Sequence, residues 1–113
     1  MRRGEVWLID LDPTVGSEIR KTRPAVIVND DAVGVLPLKV IVPITDWKDH
    51  YDVAAWMVRV DPDPTNGLSK VSAADAFQVR SVSQQRFVKQ IGRLTAPRMD
   101  EITKALAAVL AIG

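Results

Sequence analysis

Apolar positions in this chain come as short runs over the first four fifths and at helical spacing over the last fifth. Glu5-Val6-Trp7-Leu8-Ile9-Asp10 and Ala25-Val26-Ile27-Val28-Asn29 read as the first two strands. Lys39 to Thr45 predicts a third, and its Pro43, which lacks an N–H, argues for an edge or a bulge there. Ala55 to Val60 predicts a fourth strand. Asp61-Pro62-Asp63-Pro64-Thr65-Asn66-Gly67 is a turn, because the prolines fix φ and Asn-Gly tolerates positive φ. A fifth strand is expected from Lys70 to about Gln78. A helical turn capped by Ser81 or Ser83 follows, and then a sixth strand from Phe87 to Leu94, broken by Gly92. The end differs. Thr95 is a helix cap, Pro97 suits a first turn, and Asp100 and Glu101 favour the positive end of the dipole. Met99, Ile102, Leu106, Val109 and Leu110 form one apolar stripe, which predicts a helix packed on a sheet. Short strands plus one terminal helix predict a mainly β fold, a small SH3-like β-barrel with a C-terminal α-helix.

Composition narrows the picture modestly. A length of 113 residues predicts a single domain over 1–113, and 47% hydrophobic content suffices for one core. Lys and Arg total 15 against 14 Asp and Glu, a net charge of +1, so any case for nucleic acid rests on local clustering. Without cysteine there is no disulfide and no thiolate metal site, which fits a cytoplasmic location. The opening Met1-Arg2-Arg3-Gly4 runs straight into a strand and does not read as a signal peptide. The apolar run from Ile102 to Ile112 is too short for a bilayer and contains Lys104, so no membrane association is expected.

Candidate chemistry concentrates between the first two strands. That loop carries Asp12, Ser17, Glu18, Arg20, Lys21, Thr22 and Arg23, with Pro13 and Gly16 at its turn and Pro24 at the entry to the next strand. The single histidine, His50, excludes a two-histidine acid/base pair, and no zinc or phosphate-loop motif occurs. The acidic pairs Asp30-Asp31 and Asp61/Asp63 read as turn residues, so no metal and no cofactor is expected. Attack by a ribose 2′-OH on the adjacent phosphate needs a base, donors on the phosphoryl oxygens and an acid for the leaving 5′-oxygen. Glu18 is a candidate base, Arg23 a planar fork matched to phosphate, and Thr45 a hydroxyl donor at a strand end. On its own, a Glu18/Arg23 pair reads as an ordinary surface ion pair. The aromatics Trp7, Trp47, Trp56 and Phe77 could stack on unpaired bases, but Trp7 and Trp56, placed in strands, read rather as core. Trp47, in the loop after Thr45, is a candidate for base stacking, and His50 beside it reads as an exposed loop residue.

The segment GEVWLIDLDPTVGSE followed by TRPAVIV closely resembles the opening of the MazF/PemK family of bacterial toxins. A looser likeness continues through VPIT, the Gln78-to-Ser81 segment QVRS, and RF-x-x-x-IGRL from Arg86 to Leu94; 37–60 and 61–76 are less diagnostic. The resemblance implies a toxin of a type II toxin–antitoxin system, a metal-independent, sequence-specific endoribonuclease. It would cut single-stranded RNA, mRNA included, to 2′,3′-cyclic phosphate and 5′-hydroxyl ends. The family's active-site pair maps onto Arg23 and Thr45, and its loop glutamate onto Glu18. Ser17, Arg20, Lys21, Trp47, Gln78 and Arg80 are then the candidate RNA-binding residues. An arginine guanidinium keeps its proton throughout the range in which proteins work, which favours a phosphate clamp over an acid/base role for Arg23. Two departures stand out. Some members carry histidine where this chain has Ser17, and many carry Asp before the glutamine, where this chain has Phe77. The implied partners are single-stranded RNA, a second copy of the chain, and an antitoxin binding through an acidic disordered segment. Two rival classes share the fold: a gyrase-poisoning toxin without catalysis, which would not need Glu18, Arg23 and Thr45, and a non-catalytic RNA-binding barrel, which only an activity measurement separates.

Overall fold

The computed structural model describes residues 1–34 and 37–113. Its strands are β1 (Glu5–Asp10), β2 (Thr22–Ile27), β3 (Leu38–Asp46), β4 (Met57–Val60), β5 (Ser72–Asp75), β6 (Arg80–Ser83) and β7 (Phe87–Arg93), followed by helix α1 (Ala96–Leu110). All ladders are antiparallel, in the order β4-β5-β3-β2-β1-β7, with β6 paired to β3 off that path. Closure into the expected barrel is not seen: no ladder joins β4 to β7 among the described residues.

The unbroken apolar runs of β2 and β3 arise because both faces are covered. Ala25 and Ile27 enter one core with Ile9, Leu11, Ile41 and Val82. Val26 and Val28 enter another with Val6, Val42, Ile44, Val58 and Val60. Successive side chains of a strand point to opposite faces, so such a run signals a doubly covered strand. Helix α1 covers the second core with buried Met99, Ile102 and Ala105 and half-buried Leu106 and Val109. Leu110, expected on the same stripe, is 56% exposed, and the smaller Ala105 takes the buried place.

Three other expectations change. Pro43 lies in a central strand, not at an edge. One margin of β3 pairs β6 through Ile41 and β5 from Ile44 onward, so Pro43 sits where the strand changes partners and a missing N–H costs least. The expected fifth strand is interrupted by a 3-10 turn, Ala76–Gln78, begun by Asp75, whose carboxylate accepts the Phe77 N–H at 3.1 Å. Its continuation is β6, and the helical turn is Gln84–Arg86, capped by Ser83, which accepts the Gln85 N–H at 3.2 Å. Trp56 stands outside β4 and is 41% exposed, contrary to a core role. Trp7 is half-buried against Phe87 with ring centroids 5.5 Å apart.

The turn before β5 is wedged onto β7. Asn66 is fully buried; its Oδ1 accepts from Leu68 N–H and its Nδ2 donates to the Asp61 carbonyl at 2.9 Å. Asp63 accepts from the Thr65 N–H and hydroxyl and from the Asn66 N–H, which hold its carboxyl below the ordinary range. Its contribution to stability is therefore present above the ordinary carboxylate range and lost as pH falls through the depressed value. Gly67 has φ +71°, and a Cβ there would lie 2.1 Å from the Ile91 carbonyl oxygen. Gly67→Ala is accordingly expected to lower unfolding free energy by roughly 2–4 kcal/mol, combining left-handed strain with a backbone clash. Urea denaturation of parent and variant checks this.

Candidate active site

The loop between β1 and β2 is held at both ends. The Leu11 N–H donates to the Lys21 carbonyl at 3.0 Å, closing the loop where Lys21 takes φ 69°. From β7's side the Arg86 guanidinium donates to the carbonyls of Asp10 and Asp12. Arg80 Nη1 donates to the Leu11 carbonyl at 3.4 Å. In the loop's second half the Gln78 amide is engaged at both ends: Oε1 accepts the Ile19 N–H at 2.6 Å, and Nε2 donates to the Ser17 carbonyl at 3.4 Å and to Asp75 at 3.3 Å. Gln78, expected among the RNA readers, thus serves first to hold the loop.

That contact also bears on Phe77. The 3-10 turn folds Asp75 back beneath Gln78, so a carboxylate meets the glutamine even though Phe77 takes the place of the adjacent Asp. Asp75 is buried, and desolvation raises its pKa against the opposing bonds from Phe77 N–H and the Gln78 amide. With its folded pKa above the unfolded one, the native state gains relative stability as pH falls through the folded value. No periodicity in the sequence signals this pairing, because a three-residue turn inside an apolar run creates it.

The antiparallel register decides the positions of Arg23 and Thr45. The β2–β3 ladder runs from Ile27 opposite Ile41 to Ala25 opposite Pro43, and Arg23 and Thr45 lie just beyond its end, each two residues past the last pair. Both line one cavity of about 300 Å³ together with Asp46, Ser69, Lys70 and Ser72. Neither the Arg23 guanidinium nor the Thr45 hydroxyl has a hydrogen-bond partner among the described residues. Lys70, by contrast, is paired with Asp46 at 3.1 Å. Lys70 was not anticipated from sequence; only the β3–β5 ladder, with Asp46 opposite Ser72, brings it beside Thr45.

Glu18 lies elsewhere. It lines a second cavity of about 510 Å³ with Val15, Ser17, Ile19, Pro43, Phe77, Gln78 and Arg80. Its Oε1 accepts the Val15 N–H at 2.8 Å. Pro43 borders this cavity and stands two residues from Thr45, so β3 links the two hollows. Arg20 and Lys21 are exposed and line neither. Trp47 is half-buried, edge-on to Tyr51 at 5.8 Å and beneath Arg59 at 5.7 Å. His50 is exposed.

Residues 2–110 match the family described as PemK-like, MazF-like toxin of type II toxin–antitoxin systems. The chain belongs to the MazF/PemK toxin family. It is 35% identical to endoribonuclease MazF9 of Mycobacterium tuberculosis, with 94% of this chain and 92% of the relative covered. Identity to endoribonuclease PemK of Escherichia coli is 33%, with coverage of 97% and 82%. A mycobacterial endoribonuclease solved in complex with its cognate antitoxin superposes with a TM-score of 0.80 at 21% identity, covering 100% of this chain and 97% of that one. The MazF/PemK assignment fixes the class as a toxin endoribonuclease and sets aside the gyrase-poisoning alternative. The mainly β sheet with one C-terminal helix is the MazF-like fold. No helix of the described residues is long and apolar enough to cross a membrane.

Proposed function

We propose that this toxin cleaves single-stranded RNA by in-line attack of the ribose 2′-OH, leaving a 2′,3′-cyclic phosphate and a 5′-hydroxyl, without metal. The observation that carries the reading is that Arg23 and Thr45 line one cavity, both without a side-chain hydrogen bond among the described residues. The 2′-oxygen forms a bond to phosphorus as the bond from phosphorus to the 5′-oxygen breaks. The 2′-proton leaves to a base, and the 5′-oxygen takes up a proton. Arg23 clamps the phosphoryl oxygens with its fork, and Thr45 donates to the same group as charge builds. Glu18 is the base of this scheme; it reaches the reacting hydroxyl from the adjoining cavity by releasing the Val15 N–H. Ser17, Arg20, Lys21, Trp47, Gln78 and Arg80 remain the RNA-contact set, with Gln78 acting through the loop it holds.

The same proposal has the chain act as one toxin domain, as a homodimer in the cytoplasm, neutralised by an antitoxin whose acidic segment folds onto the groove. The decisive experiment is incubation of purified protein with structured and unstructured RNA in excess EDTA, followed by end-group analysis. Cyclic phosphate ends confined to unpaired regions are expected, since duplex RNA stacks its bases and presents their edges poorly. A Mg²⁺ requirement, or efficient cutting of a perfect duplex, would overturn the mechanism.

The exposed loop cations give a separate expectation. Arg20→Ala with Lys21→Ala should weaken RNA binding and flatten its salt dependence while leaving the cleavage motif largely intact, because phosphate contacts act through counterion release. Binding measured against salt concentration checks it, and identical slopes would remove the pair from the interface.

A further inference from the structure

One feature of the loop cavity is not used by the cleavage scheme. Phe77 stands at its rim with 65% of its surface exposed. Its neighbour Trp56 is also exposed, and the two rings meet edge to face at 5.8 Å with an interplanar angle of 61°. Apolar side chains scattered singly over a surface need no explanation. Here two aromatics stand together, and their backbones are pinned. The Phe77 N–H donates to Asp75 at 3.1 Å, and the Ala76 N–H donates to the Trp56 carbonyl at 2.9 Å. A ring fixed in solvent by a 3-10 turn and a second ring is preorganised to take a flat partner.

We propose that Phe77, buttressed by Trp56, is a stacking platform for one unpaired nucleobase of the RNA, outside the Arg23–Thr45 cavity. The inference rests on the ribonuclease reading above. Continuity argues for a nucleobase: the platform borders the cavity holding Glu18 and Arg80, and Pro43 of β3 joins that cavity to Thr45. A strand whose phosphate sits at Arg23 can follow β3 past Pro43 and present a neighbouring base to the ring. Stacking on an aromatic face is tolerant of base identity, so this subsite adds affinity and register, and sequence reading lies elsewhere.

The probe is a single-stranded oligoribonucleotide carrying the parent protein's mapped cleavage site, with 2′-deoxyribose at the scissile nucleotide, and a set of versions abasic at one position each. Phe77→Ala is expected to weaken binding roughly tenfold to a hundredfold. Its salt slope should equal the parent's, because an uncharged contact releases no counterions. Phe77→Trp should bind like the parent. One abasic position should cost the parent the same factor and cost Phe77→Ala nothing more. Unchanged affinity of Phe77→Ala, a changed salt slope, or an abasic series in which no single position matters to the parent would each overturn the platform. So would loss of binding to an antitoxin segment with RNA affinity intact, which would give the patch to a protein partner. If Phe77→Ala fails to fold, Phe77→Leu, which keeps an apolar side chain without a ring, carries the same comparison against the abasic series. If the parent cuts no RNA in EDTA, the ribonuclease reading fails; if it cuts and Phe77→Ala binds equally well, the platform alone fails.

Discussion

Arg23→Ala is expected to abolish most RNA cleavage, on the order of a hundredfold or more in rate, with the fold retained. The backbone of Arg23 pairs with Ile9 in the β1–β2 ladder, and any residue that accepts extended geometry keeps that pairing. Its side chain is half-buried at the cavity and makes no hydrogen bond among the described residues, so its removal leaves no orphaned partner. What disappears is a fork of donors placed where phosphoryl charge develops. Arg23→Lys keeps the charge and loses the bidentate geometry, so it should recover only part of the rate. Single-turnover cleavage of a defined oligoribonucleotide, alongside thermal melts, reads both quantities. A folded Arg23→Ala protein that cuts near-normally would remove Arg23 from the mechanism.

Thr45→Ala is the second large effect, again on the order of a hundredfold in rate, with RNA affinity changed much less. Thr45 is carried by a strand whose Ile41, Val42 and Ile44 are buried, so its hydroxyl is aimed by rigid backbone. Thr45→Ser should retain most activity, because the donor remains and only a methyl is lost. Since Arg23 and Thr45 face the same cavity, the double variant should be scarcely slower than the worse single one. Full additivity would indicate that the two side chains act on different steps. A Thr45→Ala protein that cuts like the parent would make Thr45 a strand-end residue.

The candidate loop residues stood out in the sequence because Glu18 and Arg23 lie close together between two strong strand signals, but the structure opens them onto different cavities. Thr45 was legible only as a hydroxyl following an apolar run, and the resemblance to a toxin family supplied its role. Lys70 gave no signal, being 25 residues from Thr45 in the chain and beside it only through the β3–β5 ladder. The Asp75–Gln78 contact was hidden by the 3-10 turn: Phe77 looked like a lost carboxylate, yet Asp75, two residues earlier, meets Gln78 while the Phe77 ring stands outward. Trp56 misled for a related reason. Its neighbours alternate like a strand, yet β4 begins at Met57 and leaves the indole at the surface.

By itself the sequence determined the local pieces: β1 to its end residues, the Asp61–Gly67 turn, the loop that carries the candidate chemistry and the C-terminal helix after Thr95, although the Thr95 side chain makes no capping bond. Period-two and period-3.6 patterns, proline and Asn-Gly act over a few residues, so a linear reading reaches them. Tertiary structure decided which margin of β3 meets which partner, that Arg23 and Thr45 share one cavity while Glu18 opens onto another, and that Phe77 and Trp56 stand side by side in solvent. Those outcomes follow from pairing register and from competition for burial between segments far apart in the chain. A one-residue slip of register reverses every side chain, and no local pattern encodes which distant strand will fix it.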